Sequence, residues 1–177
     1  MIIQFCGLSG SGKSTLAVNV KKILASRGVN IEIIDGDEYR KILCPDLGFS
    51  KEDRNQNIRR LAFVAAKLSQ YNVVAIICAI NPYDDIRREV ASKYANVRTV
   101  FIDCNLETLI RRDTKGLYKK AYLPSGHPEK LMNLTGVNDP FEAPSGADLV
   151  INSAEESVEE STDKLIEFIL RYQDPNY

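Results

Sequence analysis

The stretch Gly7-Leu8-Ser9-Gly10-Ser11-Gly12-Lys13-Ser14-Thr15 constrains this chain more than any other. It reads G-x-x-x-x-G-K-S and follows an apolar run, Ile2 to Cys6, with the β-branched and aromatic content of a buried strand. Leu16, Ala17, Val18, Val20, Ile23 and Leu24 then recur at helical spacing. Strand, glycine loop and helix in that order form a phosphate-binding loop. Small residues let the backbone curl so that several N–H groups face one anion, and the helix N-terminus adds positive partial charge. Lys13 is expected to reach the β- and γ-phosphates, and the Ser14 hydroxyl to hold Mg²⁺. The motif specifies a nucleoside triphosphate but not its fate.

A chain of 177 residues suits one domain with a sizeable core, so residues 1–177 are read as a single unit. A net charge of −1 argues against a general nucleic-acid binder. No apolar run reaches membrane-spanning length, and the first strand begins where a signal peptide would stand. The four cysteines, Cys6, Cys44, Cys78 and Cys104, are widely spaced, and His127 is the sole histidine. Reduced, mostly buried thiols in a cytoplasmic protein are expected, with no zinc site.

Further along, Arg27-Gly28 reads as a helix stop and Ile31 to Ile34 as a second strand, running into Asp35-Gly36-Asp37. Glu38 to Ser50, with Pro45 and Gly48, reads as a surface stretch. Ser50 is placed to cap a helix from Lys51 to about Gln70. Val73 to Cys78 is a central strand, Tyr83 to Tyr94 a helix, Val97 to Ile102 a fourth strand and Leu106 to Arg112 a short helix. The segment from Lys115 to Pro144 is rich in Gly, Pro and charge, which suits a lid or binding loop. Ala147 to Ile151 is a fifth strand. Ser157 to Tyr172 is a closing amphipathic helix, with Val158, Leu165, Phe168 and Ile169 inward. This alternation predicts an α/β fold: a parallel five-stranded sheet flanked by helices, of the P-loop hydrolase and kinase type. Ligands in such sheets bind at the carboxyl ends of the strands.

Chemically suggestive groups gather at those ends. Asp35 and Asp37 flank a glycine, so both carboxylates can face the crevice, one toward Mg²⁺ and one toward an attacking hydroxyl. Arg40, Arg54, Asn57, Arg59 and Arg60 form a basic polar group; Arg54 and Asn57 share a helix face. Arginine suits a bidentate grip on phosphate or sulfate, although such a run is also what a solvated helix face looks like. Phe49, in Leu47-Gly48-Phe49, offers a ring on which a base can stack. Arg111 to Lys120 is strongly basic and suits a lid that carries positive charge onto transferring phosphates.

Beyond the glycine loop, several segments stand in a family's order. They are Asp35-Gly36-Asp37 with Arg40, Leu47-Gly48-Phe49-Ser50 with Asp53-Arg54-x-x-Asn57-Ile58-Arg59-Arg60, Asn81-Pro82-Tyr83, Arg112-Asp113-x-Lys115-Gly116-Leu117-Tyr118, and Thr135-Gly136 with Glu142-x-Pro144. Together they resemble the adenylylsulfate (APS) kinases. The resemblance implies transfer of phosphate from ATP to the 3′-hydroxyl of adenosine 5′-phosphosulfate, giving ADP and 3′-phosphoadenosine 5′-phosphosulfate. It implies that Gly7, Ser9, Gly10, Ser11, Gly12, Lys13, Ser14 and Thr15 bind ATP, with Arg112 and Asp113 beginning the ATP-side lid. It implies that Lys13, Asp35 and Asp37 carry the catalysis. Asp37 would face the 3′-hydroxyl, and Ser14 and Asp35 would stand on the Mg²⁺ side. Arg40, Arg54 and Asn57 match the phosphosulfate grip, Phe49 the adenine stack, and Ile80, Lys115 and Leu117 further pocket positions. A homodimer is implied as well.

Three departures stand out. Asn81 replaces a serine found in many relatives and rules out a phospho-intermediate there. Leu134 replaces a phenylalanine and would offer the acceptor adenine only an aliphatic face opposite Phe49. The segment Tyr122 to Asn133 is longer than is common. Two other readings compete with the APS kinase reading: a related P-loop kinase with a different nucleotide-conjugate acceptor, and a non-catalytic nucleotide switch. The switch predicts an Asn-Lys-x-Asp element, which the sequence lacks.

Overall fold

Every residue of Ile2–Cys6 is buried, which requires cover on both faces of the strand it forms, β1. A computed structural model describes residues 1–173 and supplies that cover. The strands are β1, β2 (Ile31–Asp35), β3 (Val74–Cys78), β4 (Val97–Asp103) and β5 (Leu149–Asn152). They form one sheet in the order β2-β3-β1-β4-β5, with all pairings parallel. The helices are α1 (Lys13–Ala25), α2 (Gly36–Leu43), α3 (Lys51–Ser69), α4 (Asp84–Lys93), α5 (Leu106–Arg112), α6 (Leu117–Ala121) and α7 (Val158–Gln173).

Alternate residues of each strand feed opposite layers. Ile3, Phe5, Ile76, Val100 and Ile102 pack with Leu16, Val20, Leu24, Leu165 and Ile169 of α1 and α7. On the other face Ile2, Ile34, Ala75 and Ile77 pack with Leu61, Ala65, Ile86 and Val90 of α3 and α4. Each such aliphatic side chain contributes about 1.5–3 kcal/mol on burial. A third, smaller cluster of Cys104, Leu109, Tyr118, Ala121 and Leu134 lies under the segment after α5. All four thiols are free and buried.

The strand order turns at β1: β3 and β2 lie on one side, β4 and β5 on the other. The crevice at its carboxyl end is where an open α/β sheet binds ligands. Gly7 makes the sharp exit there. Its φ is +150°, and a Cβ would meet the Ile102 carbonyl oxygen at 2.4 Å, so no side chain fits.

Three expectations need correction. The surface stretch from Glu38 to Ser50, for which no helix was expected, opens within one, Gly36–Leu43. Asp35 starts that helix by accepting the N–H groups of Asp37 and Glu38, and Pro45 and Gly48 lie beyond its end. The long segment from Lys115 contains α6, whose first turn is held by Asp113. Val158 faces solvent, because it is the first residue of α7 and precedes the turn that meets the sheet.

Candidate active site

A cleft of about 400 Å³ opens at the carboxyl end of the sheet, lined by the glycine loop, Asp35, Asp37, Ile80 and the segment from Thr114 to Thr135. A smaller lobe of about 110 Å³ continues from it toward Arg40, Asn57 and Asn81. Asp37, Phe49, Arg54 and Ile80 border both lobes and so mark their junction.

The glycine loop builds the larger lobe. Ser9, Gly10, Gly12, Lys13, Ser14 and Thr15 line it, while Gly7 and Ser11 support it from behind. Lys13 Nζ donates to the carbonyls of Gly7 at 2.8 Å and Leu8 at 2.7 Å, and to Ser11 Oγ at 3.3 Å. Burial lowers the Lys13 ammonium from 10.5 to about 8. A phosphate in the cleft reverses that cost by supplying the missing countercharge. Tyr118 donates its hydroxyl to the Ser9 carbonyl at 2.9 Å, tying α6 to the loop.

Two carboxylates follow β2. The Ser14 hydroxyl donates to Asp35 Oδ2 at 3.1 Å, while Asp35 Oδ1 caps α2. Asp35 is therefore fixed by the backbone, and one of its oxygens faces the loop hydroxyl. Asp37 stands one residue into α2 and meets Lys115 Nζ at 2.5 Å.

The smaller lobe is built by α2, α3, the loop between them and residues 79–82 after β3. Ser50 caps α3 by accepting the Asp53 N–H, as expected from its position. The Phe49 ring is half exposed, with the Arg40 and Arg54 guanidinium carbons 4.7 and 5.4 Å from its centre. Arg40 also donates to the Gly48 carbonyl. Arg54 donates through Nε to the Phe49 carbonyl at 3.0 Å, and through Nη2 to the Asn133 carbonyl at 2.7 Å and Asp139 Oδ2 at 2.6 Å. Asn57 Oδ1 and Thr135 Oγ1 are buried without a partner among the described residues, and both residues border the cleft. A buried polar atom left unpaired costs about 1–3 kcal/mol, so a bound polar group is favoured at each.

The structure thus brings together Lys13, Ser14, Asp35, Asp37, Arg40, Phe49, Arg54, Asn57, Ile80, Lys115, Leu117 and Leu134. Leu134 is almost fully buried, with one side on the cleft and the other in the third cluster. Arg112 and Asp113 stand outside the cleft. Arg112 donates to the Ser153 carbonyl at 2.7 Å, and Asp113 accepts the N–H groups of Tyr118 and Lys119. Arg59 pairs with Glu89 and Glu52, and Arg60 with Asp46, so these two hold the scaffold together. Sequence reasoning named Thr135 only within the motif Thr135-Gly136, and missed Asn133 and Asp139. The turn chemistry of Gly136-Val137-Asn138-Asp139-Pro140 signals a bend, but nothing local marks Asp139 as the partner of a residue 85 positions away.

Comparison with known proteins places this geometry among relatives. Residues 1–152 match the family model described as adenylylsulphate kinase. A probable adenylyl-sulfate kinase of Pseudomonas aeruginosa is 45% identical, over 93% of this chain and 75% of that one. An adenylyl-sulfate kinase of Deinococcus deserti is 41% identical, over 95% of this chain and 90% of its own. Among solved structures, the APS kinase of Mycobacterium tuberculosis in complex with AMPPNP and APS superposes with a TM-score of 0.87. It is 35% identical, with 96% of each chain covered.

Proposed function

The chain belongs to the adenylylsulphate kinase family, and from that premise we propose how its own residues carry out the reaction. The activity is ATP-dependent phosphorylation of adenosine 5′-phosphosulfate at its 3′-hydroxyl, yielding 3′-phosphoadenosine 5′-phosphosulfate and ADP. One observation carries the assignment of roles. A phosphate loop and an arginine-and-aromatic lobe meet at Asp37, the position a transferring phosphoryl group would have to cross.

ATP sits on the glycine loop, with its β- and γ-phosphates facing backbone N–H groups and Lys13. Lys13 then exchanges its loop carbonyl partners for phosphate oxygens, and its positive charge offsets charge developing in transfer. Ser14 and Asp35 present two hard oxygen ligands 3.1 Å apart, which would hold Mg²⁺ on the ATP side of the cleft. When bound, that ion screens the phosphate charges and orients the γ-phosphoryl group. The acceptor adenine stacks on Phe49, and its phosphosulfate lies against Arg40, Arg54 and Asn57. Asp37 accepts a hydrogen bond from the 3′-hydroxyl and aims its oxygen in line with the γ-phosphorus. Lys115 moves from Asp37 toward substrate oxygens as the acceptor arrives. Arg112 and Asp113 hold the base of α6 and so set where Lys115 and Leu117 stand.

The buried thiols suit a cytoplasmic protein, and no helix among the described residues is long and apolar enough to cross a membrane. A homodimer accords with the family resemblance. The test is a panel of nucleotide acceptors with ATP and Mg²⁺, read by ADP release and by sedimentation of the active species. Adenosine 5′-phosphosulfate should give the highest kcat/KM. A different preferred conjugate would transfer the arginine lobe to that acceptor, and ADP release without any acceptor would favour the switch.

A further inference from the structure

Resting on the reading of Arg54 as part of the acceptor grip, we infer that Asp139 is a positioning residue that sets the Arg54 guanidinium for the acceptor's anion. Arg54 is nearly buried, and its three hydrogen bonds use Nε and Nη2 alone. Nη1 has no acceptor among the described residues, and Arg54 borders both lobes of the cleft. A guanidinium is a rigid planar fork, so fixing Nε and Nη2 fixes the direction of Nη1. Of the three contacts, the one with Asp139 is the charged and shortest, at 2.6 Å.

Asp139 is itself held. The Leu134 carbonyl accepts the N–H groups of Val137, Asn138 and Asp139, and Gly136 N–H donates to the Asp139 carbonyl at 2.7 Å. Asn138 Oδ1 accepts the Leu134 N–H at 2.8 Å. The turn also rests on the phosphate loop. Gly136 has φ +86°, and a Cβ there would meet Leu8 Cδ2 at 2.6 Å. The turn from Leu134 to Asp139 therefore spans from the ATP loop to the acceptor arginine, with Asp139 as its reach into the acceptor lobe.

Charge and position make opposite demands. A carboxylate beside Arg54 partly cancels the charge an incoming anion would feel, so a purely electrostatic Asp139 would weaken acceptor binding and its removal would strengthen it. A positioning Asp139 predicts the reverse.

The experiment measures KM for adenosine 5′-phosphosulfate, KM for ATP and kcat, with melting temperatures, for Asp139→Ala, Asp139→Glu, Asp139→Asn and Arg54→Ala, and for the double variant Arg54→Ala/Asp139→Ala. Asp139→Ala should raise the acceptor KM about tenfold, the scale of a lost charge-assisted contact, with the ATP KM within about twofold. Asp139→Glu keeps the charge but displaces it by a methylene, and should also raise the acceptor KM. Asp139→Asn keeps an oxygen acceptor in place and should raise it less than Asp139→Ala does. The double variant should be no worse than Arg54→Ala, because the two residues act as one unit. If Arg54→Ala raises the acceptor KM but the Asp139 variants lower it, leave it alone, or add to it independently, the inference fails and the grip stands. If Arg54→Ala leaves the acceptor KM unchanged, the grip assignment fails and takes the inference with it. Should Asp139→Ala not fold, Asp139→Glu and Asp139→Asn decide: a raised acceptor KM with an unchanged ATP KM in both supports the inference, and an unchanged or lowered acceptor KM overturns it.

Discussion

Lys115 Nζ lies 2.5 Å from Asp37 Oδ2, joining residues 78 positions apart across the cleft. Both side chains are more than half exposed, at 56% and 76%. An exposed pair of this kind contributes about 0–1 kcal/mol and weakens with salt. It is a contact that a substrate can open at little cost, as the proposed roles of Asp37 and Lys115 require.

Asp37→Asn tests the carboxylate in that pair. Orientation of the hydroxyl governs a loose phosphoryl-transfer transition state, so kcat should fall about a hundredfold or more. The acceptor KM should change far less, and the melting temperature should hardly move because the lost pair is exposed. A variant defective only in ATP affinity would move Asp37 to the metal side.

For Lys13, charge and pH make a linked prediction. Lys13→Ala should cut turnover about a hundredfold or more in a folded protein. In the unsubstituted chain the ammonium is lowered to about 8, mainly by burial, while bound phosphate favours its charged form. Below that pH Lys13 is already charged and ATP binding is at full strength. As pH rises through 8 and above, binding must take up a proton, and ATP affinity falls by up to about tenfold per pH unit. Calorimetry at pH 8.5–9 in buffers of different ionisation enthalpy should register proton uptake. Affinity independent of pH over that range would remove Lys13 from the phosphate contact.

The two arginines of the acceptor lobe should separate in their stability effects. Replacing either Arg40 or Arg54 with Lys loses the planar fork and should raise the acceptor KM several-fold or more, with the ATP KM little changed. Arg54→Lys should also lower the melting temperature, because Arg54 ties Phe49, Asn133 and Asp139 together in a nearly buried position. Arg40→Lys, on the short surface helix α2, should cost less. Equal rises in both KM values would make either residue purely structural.

Phe49 and Leu134 make a matched pair. Phe49→Ala should weaken acceptor binding severely, since Leu134 offers no second ring. Leu134→Phe should tighten it by a few-fold up to about tenfold, the worth of an added aromatic contact of 0.5–1.5 kcal/mol. The same change enlarges a side chain packed with Leu109 and Tyr118, so a stability loss of about 1–3 kcal/mol should accompany it. Isothermal titration and thermal melts on the same samples separate the two effects. Intact acceptor binding by Phe49→Ala would remove the stack.

Much of this was readable from the chain. The central strand β3 announced itself as a continuous apolar run, and Ser50 marked the start of α3 to the residue. The glycine loop and Asp35-Gly36-Asp37 fell at strand ends, where ligands belong. What escaped depended on side chains serving twice. Asp35, read as a ligand, is also the cap that begins α2, a helix the sequence reading did not place in that surface stretch. Arg59 and Arg60 look like Arg54 in sequence. Partners on α4 and beyond α2 take them out of the site, and only the folded chain sets those distances. Asp139 is legible only as a turn residue until Arg54 is brought to it.

The four enclosed thiols turn the chain into its own clock for local opening. Burial pushes Cys6 and Cys78 to about 12, so almost no reactive thiolate forms at neutral pH while the sheet is closed. Cys6 lies in β1 and Cys78 in β3, whereas Cys104 lies beneath α6 and Leu134. At these three positions an alkylating reagent therefore records two different excursions, while Cys44, at the end of α2, reports on that helix separately. Modification of Cys104 counts how often the α6 segment lifts from the third cluster, and modification of Cys6 and Cys78 counts rupture of the sheet itself. Substrates that hold the α6 segment down should slow the first clock more than the second, with no cysteine engineered into the chain.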